Sequence, residues 1–276
     1  MNPDVIWQNI MKHPFSPDTR PPDTYLYHYT SASTFLEHIL PNRSIQFSPM
    51  SQVNDPKESR FSAMLYSSGL ETVALKELHN RLRQFHESRV KVACFSQDDP
   101  GIAIFAHQTF QGWAKPAMWA HYGGDHTGVC VVFNQRSLVK SFCTKFAGHT
   151  RIFHGNMNYQ QIKAISPKYL ETQYETHKVH IRANETLADF ETTVLEYLNK
   201  HHGAMYFCKH GDWSGEREYR LLVVSPKDGF EYLDITDSLV GACSGFAMPE
   251  PDRSQIENAC KDSGLFYNSL HQGFFR

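Results

Sequence analysis

The chain has 276 residues, 41% of them hydrophobic and 20% charged, with a formal net charge of −2. That length can bury a full core without staples, and that balance excludes a disordered chain. Near-neutrality excludes a global pull toward nucleic acid or anionic membrane.

No stretch reaches the roughly 18 apolar residues of a membrane span. The start, MNPDVIWQNIMKHPF, lacks the basic residues and apolar run of a secretion signal. The six cysteines form no C-x-x-C pair, so neither a zinc knuckle nor a redox motif is indicated. Cys94 and Cys130 sit in apolar, strand-like runs and read as buried hydrophobes in a reducing compartment, hence a cytoplasmic protein. The 16 histidines lack Cys, Asp or Glu partners at metal-ligand spacing, so no metal site is expected.

In chain order, residues 3–12 read as a short helix and 14–22 as a Pro-rich linker. The domain proper is expected over 23–276. YLYHYT (Tyr25–Thr30) is aromatic and β-branched and favours a strand. Ser31 or Ser33 can cap a helix over 34–40. Residues 45–48 alternate like a strand. Asn54-Asp55-Pro56 is a turn, because Asx side chains bond nearby backbone and Pro fixes φ. Val73, Ala74, Leu78, Leu82 and Phe85 have helical spacing over 70–87. VKVACFS (Val90–Ser96) and residues 127–133 read as buried strands. PAMWAHY (Pro116–Tyr122) reads as a helix opened by Pro and stopped by Gly123-Gly124. A helix over 137–146 and a strand near 151–159 follow.

Residues 167–200 have helical periodicity, with Phe190, Val194, Leu195 and Leu198 as the buried stripe. EYRLLVV (Glu218–Val224) is a strong strand. Pro226 to Gly229 suits a hairpin turn, with 230–235 as the return strand. A short helix over 254–260 and a strand over 265–270 close the chain. Strands and helices alternate without a regular βαβ rhythm. No Rossmann, P-loop or nucleophile-elbow motif occurs. The expected fold is α+β: one domain with a curved, mostly antiparallel split sheet flanked by helices.

Four segments could carry chemistry. On a strand, His28 and Thr30 share one face and Tyr27 and Tyr29 the other. The first pair could hold a polar ligand such as a ribose; taken alone, an edge strand with a satisfied histidine is the more economical reading. Glu216, Glu218 and Arg220 alternate and share a face if the strand begins at Glu216. Two carboxylates so close repel, raising the proton affinity of one, unless Arg220 offsets this. A charged cluster at the mouth of a core strand suits a site on rigid scaffolding; a solvated strand end is the structural alternative. In MWAHYGG, Trp119 reads as core, while His121 and Tyr122 have polar tips to place against a planar ligand. Asn54 and Asp55 lie on a loop that could fold over a ligand. Lys209, Asp212 and Trp213 could form a mobile loop before the Glu cluster.

LYHYTS, FSPMSQVNDPKE, VACFS, MWAHYGGDHTGVCVVF and K-x₃-W-x₂-EREYRLL occur in that order. The chain so resembles a widespread bacterial domain family without a settled activity, from about Tyr25 to Ser225. His28-x-Thr30 followed by TFLEHIL also resembles, more distantly, the opening of the DNA-modifying ADP-ribosyltransferase toxins. Glu216-Arg217-Glu218 before a core strand resembles the catalytic Glu-x-Glu of that wider fold.

The resemblance implies an ADP-ribosyltransferase-like fold with NAD as substrate, acting as a transferase or NAD glycohydrolase in a toxin or anti-phage setting. It implies that His28 and Thr30 bind the NAD ribose. Glu218 would stabilise the oxocarbenium-like transition state, and Glu216 would act near the acceptor as a base. Tyr29, Phe47 or Tyr122 would stack on nicotinamide, with Ser48, Asn54, His121 and Arg220 lining the site. The acceptor is left open among protein, nucleic acid and water. An inactive nucleotide- or nucleic-acid-binding module, or an antitoxin or sensor with a cognate partner, is the alternative. No membrane partner is expected. The transferase reading requires His28 and Glu218 to face one cleft; opposite sides of the sheet would end it.

Overall fold

The computed structural model describes residues 25–53, 64–66, 72–99, 111–149, 151–160, 178–180 and 187–270. The expected N-terminal helix and linker, and Asn54 with its turn, lie outside them.

The expected α+β class holds. A nine-stranded, mostly antiparallel sheet runs β11-β2-β4-β1-β5-β12-β13, with β10 paired to β4 and β6 to β10. The strands are β1 (Tyr25–Thr30), β2 (Ser44–Pro49), β4 (Val90–Ser96), β5 (Val129–Asn134), β6 (Arg151–Asn156), β10 (Glu218–Val224), β11 (Glu231–Asp234), β12 (Leu239–Ser244) and β13 (Phe266–Ser269). Only β12 and β13 pair in parallel within it. Two small parallel ladders stand apart: β3 (Met64–Tyr66) with β8 (Lys178–His180), and β7 (Asn158–Gln160) with β9 (Cys208–His210).

The sheet forks at β4. One edge of β4 pairs with β10 along its whole length. The other edge is shared: β2 takes Val92 and Lys91, and β1 takes Ser96. Between these contacts the Cys94 carbonyl accepts from His28 Nδ1 at 3.0 Å instead of from a strand. A side chain thus satisfies a backbone group that the fork leaves unpaired.

The first helical segment, α1, begins at Ala32–Thr34, widens into a π turn over Phe35–Ile39 and closes over Leu40–Asn42. Ser31 caps it, accepting from Thr34 N–H at 3.0 Å. The remaining helices are α2 (Thr72–Arg89), α3 (Pro116–Tyr122), α4 (Gln135–Lys145), α5 (Leu187–Tyr206) and α6 (Glu250–Asp262). After α3 the backbone is left-handed at Gly124, Asp125 and His126, which stops the helix as the glycine pair suggested.

The two faces of the sheet differ. On the first, Leu26, Phe47, Phe95, Val131 and Leu221 join one large core with side chains from α1, α4 and α6. On the second, two apolar clusters are separate. One joins Val90, Val92, Leu222 and Val224 to Leu82, Phe85, Phe190, Val194 and Leu198 of α2 and α5. The other joins Tyr27, Tyr29, Cys130 and Val132 to Trp113 and Trp119. The second face of β4 and β10 between these clusters carries Ser96, Cys94, Glu218 and Arg220.

One expected pairing is wrong. The strand after Pro226 to Gly229 is not a hairpin return for β10 but pairs with β2. Both edges of β10 are already filled by β4 and β6, so no ladder is free for it. The single strand expected near 151–159 is two, β6 and β7, because the chain leaves the main sheet at Met157.

Candidate functional site

The site is built at the head of β10. Gly211–Glu216 forms a 3₁₀ helix that ends in Arg217, held at φ 49°. A left-handed non-glycine residue is costly, and such strain collects at functional sites. The turn leads Glu216 and Glu218 onto the same ammonium. Lys209 Nζ lies 2.9 Å from Glu216 Oε2 and 2.7 Å from Glu218 Oε2. Arg220 Nε donates to Glu218 Oε1 at 2.6 Å, and its Nη1 donates to the Tyr206 carbonyl at 2.7 Å. The Tyr122 hydroxyl donates to Glu216 Oε1 at 2.7 Å. The Tyr159 hydroxyl accepts the Glu218 N–H at 2.8 Å.

This network is buried: Arg220 is 0% exposed, Glu218 4%, and Lys209 and Glu216 8% each. Charges removed from water must be paired, and here two carboxylates face two cations. The shared face of Glu218 and Arg220 is as the alternation indicated, but Glu216 precedes the strand and joins them through the 3₁₀ turn, not the pleat. At Glu218 the offset by Arg220 prevails over the rise in proton affinity. Burial pushes its pKa up, but Arg220 and then Lys209 outweigh burial and hold it at about 2. Glu218 is therefore a fixed carboxylate at neutral pH. Burial, reinforced by Glu216, pushes the Tyr122 hydroxyl pKa up, so it stays a donor.

The network meets solvent through an aromatic rim. Lys209 lies 5.6 Å from the Trp213 ring, a cation–π arrangement. The His121 ring lies 6.3 Å from Trp213, with His121 exposed and Trp213 and Tyr122 half-buried. Lys209 is a residue of β9, not of a mobile loop, and β9 is held by its ladder with β7.

His28 is elsewhere. Register places Tyr27 opposite Ser96, and Ser96 opposite Glu218, so these three share the second face. His28, one residue on, points to the first, where its ring lies 5.8 Å from Phe95. Thr30 lies with it, opposite Val129. Burial lowers the His28 pKa, so its imidazole is neutral, and Nδ1–H donates to Cys94. His28 and Glu218 are thus on opposite sides of the sheet and do not fit one bound ribose.

Two further expected contacts resolve as core. Tyr29 is buried, with its hydroxyl donating to the Gly112 carbonyl at 2.6 Å and its ring edge-on to Trp119. Phe47 is stacked on Phe142 in the first-face core. Neither has a face to offer nicotinamide. Ser48 accepts from Gln46 Nε2 at 3.3 Å on β2, away from the network. Of the residues singled out, Glu216, Glu218, Arg220, Tyr122 and His121 come together, joined by Lys209 and Trp213.

Sequence reading missed Tyr159, Asp99 and Lys115. Lys115 is 5% exposed, donates to the Gly215 carbonyl at 3.2 Å and lies 3.5 Å from Asp99. Burial lowers its pKa to about 8. The signal was a single charge inside the apolar run WAKPAMWA. Among the described residues, no group of three or more His, Cys, Asp or Glu could hold a metal, and no helix is long and apolar enough to cross a membrane.

No curated protein and no solved structure matches the chain significantly. A family described as a protein of unknown function (DUF2971) matches residues 118–221, from Met118 on α3 to Leu221 on β10. That span contains Tyr122, Tyr159, Lys209, Glu216, Glu218 and Arg220, and it leaves out His28.

Proposed function

We propose that the chain is a nucleotide-binding module on an ADP-ribosyltransferase-like scaffold, and that it does not turn NAD over through a His28–Glu218 pair. The observation that carries this is the state of Glu218. Its Oε1 accepts from Arg220 Nε at 2.6 Å, its Oε2 is in charge contact with Lys209 Nζ at 2.7 Å without an aligned hydrogen bond, and it is 4% exposed. A ribose hydroxyl would have to displace a buried cation to reach it, and an uncompensated buried charge costs several kcal/mol, about 3–5.

The forked sheet and the Glu-x-Glu head of β10 support the scaffold. The rim of Trp213, His121 and Tyr122 above Lys209 supports a ligand with a stacking base and an anionic group. The test is ligand-induced thermal stabilisation with NAD, ADP-ribose, nucleotides and oligonucleotides. A ligand at a hundredfold excess over Kd adds about 2.7 kcal/mol to stability. Melting unchanged by all four classes, or stabilisation undiminished in Trp213→Ala, would rule the module out.

A second reading keeps turnover but moves it to Glu216, which lies next to the rim and holds the Tyr122 hydroxyl. Nicotinamide release from NAD that is lost in Glu216→Gln and kept in His28→Ala would favour it. An antitoxin or sensor role predicts a stable partner copurifying from the native host.

A further inference from the structure

We propose that Lys115 and Arg217 form a phosphoryl-binding subsite beside the aromatic rim, with the Asp99 carboxylate standing where a ligand phosphoryl oxygen would sit. This rests on the nucleotide-binding reading and names the part of the ligand that anchors it.

Both cations converge on a single oxygen. Arg217 Nε lies 3.1 Å from Asp99 Oδ1, and Lys115 Nζ lies 3.5 Å from the same atom. Neither contact is a good hydrogen bond. The Arg217 Nε–H is buried yet aligned with no acceptor among the described residues. Lys115 is 5% exposed, and the contacts described for its three donors are a 3.2 Å bond to the Gly215 carbonyl and the long approach to Asp99. Well-made charge-assisted bonds are shorter, about 2.7–2.9 Å. A buried ammonium and a buried guanidinium N–H that share one loosely placed oxygen are under-satisfied, and a phosphoryl group could serve both at once.

The neighbouring Asp98 shows the contrast. It is fixed by the Gly112 N–H at 2.7 Å and the Tyr27 hydroxyl at 3.3 Å, and so belongs to the scaffold. Asp99 is the more exposed partner in its pair with Lys115, its side chain 29% exposed against 7%, and the less exposed one in its pair with Arg217, at 36%. The Asp99 side chain can swing out and Arg217, 36% exposed, keeps room to turn toward a ligand, whereas Lys115 beneath them cannot follow. The left-handed backbone at Arg217 ties this subsite to the Glu216–Glu218 turn, since one residue belongs to both.

The test uses the full chain, titrated by calorimetry with inorganic pyrophosphate, ADP and adenosine, and melted alone to check folding. Asp99→Asn removes the internal competitor and is expected to tighten pyrophosphate by about fivefold, the worth of one partly exposed ion pair. Lys115→Met, or Arg217→Asn should the first not fold, is expected to weaken it by about tenfold. Asn is the choice at 217 because it tolerates the left-handed backbone. Pyrophosphate that binds Asp99→Asn no tighter than the parent, or that binds neither, overturns the subsite. ADP binding that is equal in all variants also overturns it but leaves the nucleotide reading standing. ADP no tighter than pyrophosphate, with adenosine not binding, sinks the nucleotide reading and leaves the subsite.

Discussion

Two buried carboxylates stand at opposite ends of the β10 region, and they are held in different ways. At the head, Glu218 touches two cations within 2.7 Å, both themselves buried. Beyond the tail, Glu231 accepts from the Ser225 hydroxyl at 2.6 Å, while His149 Nε2 and Lys227 Nζ stay at 3.5 and 3.7 Å. Lys91, fully buried nearby, donates to the Lys227 carbonyl at 2.7 Å rather than to the acid. Burial raises both acids' pKa values, and in both the partners win and hold them low. The tail cluster is a clasp made largely of neutral donors and backbone, closing the chain between β10 and β11. The head cluster concentrates ionised side chains under an aromatic rim, where a ligand can reach its edge. Burial of charge alone does not mark a site; charge held by charge beside an accessible stacking surface does.

The sharpest way to break this comparison is to remove one charge at the head. Arg220→Met leaves Glu218 with Lys209 as its remaining cation, and breaking a buried pair costs about 3–5 kcal/mol. Denaturant unfolding measures it, and a loss under about 1 kcal/mol would make the head no different from the tail.

Acid provides the next largest effect. The Glu218 pKa is about 2 in the folded chain against 4.5 ordinarily, so folding favours its ionised form. Its contribution is complete above about pH 4.5 and drains as pH falls toward 2, amounting to about 3 kcal/mol. Unfolding free energies of the parent and Glu218→Gln across that window should converge as pH falls; parallel curves would contradict the ion pairing.

A smaller change is expected at the rim. Tyr122→Phe removes one hydroxyl from Glu216, worth about 1 kcal/mol in chemical unfolding. The smallest belongs to the tail. Lys227 is 67% exposed at 3.7 Å from Glu231, so Lys227→Met should cost less than about 1 kcal/mol. A tail loss equal to that of Arg220→Met would erase the distinction between clasp and site.

Local pattern made much of this legible. Tyr25–Thr30, Val90–Ser96, Pro116–Tyr122 and Glu218–Val224 are where alternation, apolar runs and the Pro and Gly stops place them. The joint face of Glu218 and Arg220 was also legible, since a period of two is local, whereas Glu216 reaches Lys209 from the 3₁₀ turn before the strand. What lay outside sequence reach depends on pairing. Whether His28 faces Glu218 is decided by the register of β1 on β4, and one residue of slip would reverse the answer. The fate of the strand after Gly229 depends on both edges of β10 being taken. Lys209, a surface-type residue in sequence, becomes the centre of the network because β9 pairs with β7 and delivers it under Glu218.

Whether Glu218 is a held carboxylate or a catalytic one is decided by NAD turnover in the parent chain and in Glu218→Gln, following nicotinamide release while ligand binding is read in parallel by thermal shift. NAD is expected to stabilise both proteins and to be left intact by both. Nicotinamide release by the parent that disappears in both Glu218→Gln and His28→Ala, each still folded, would contradict this.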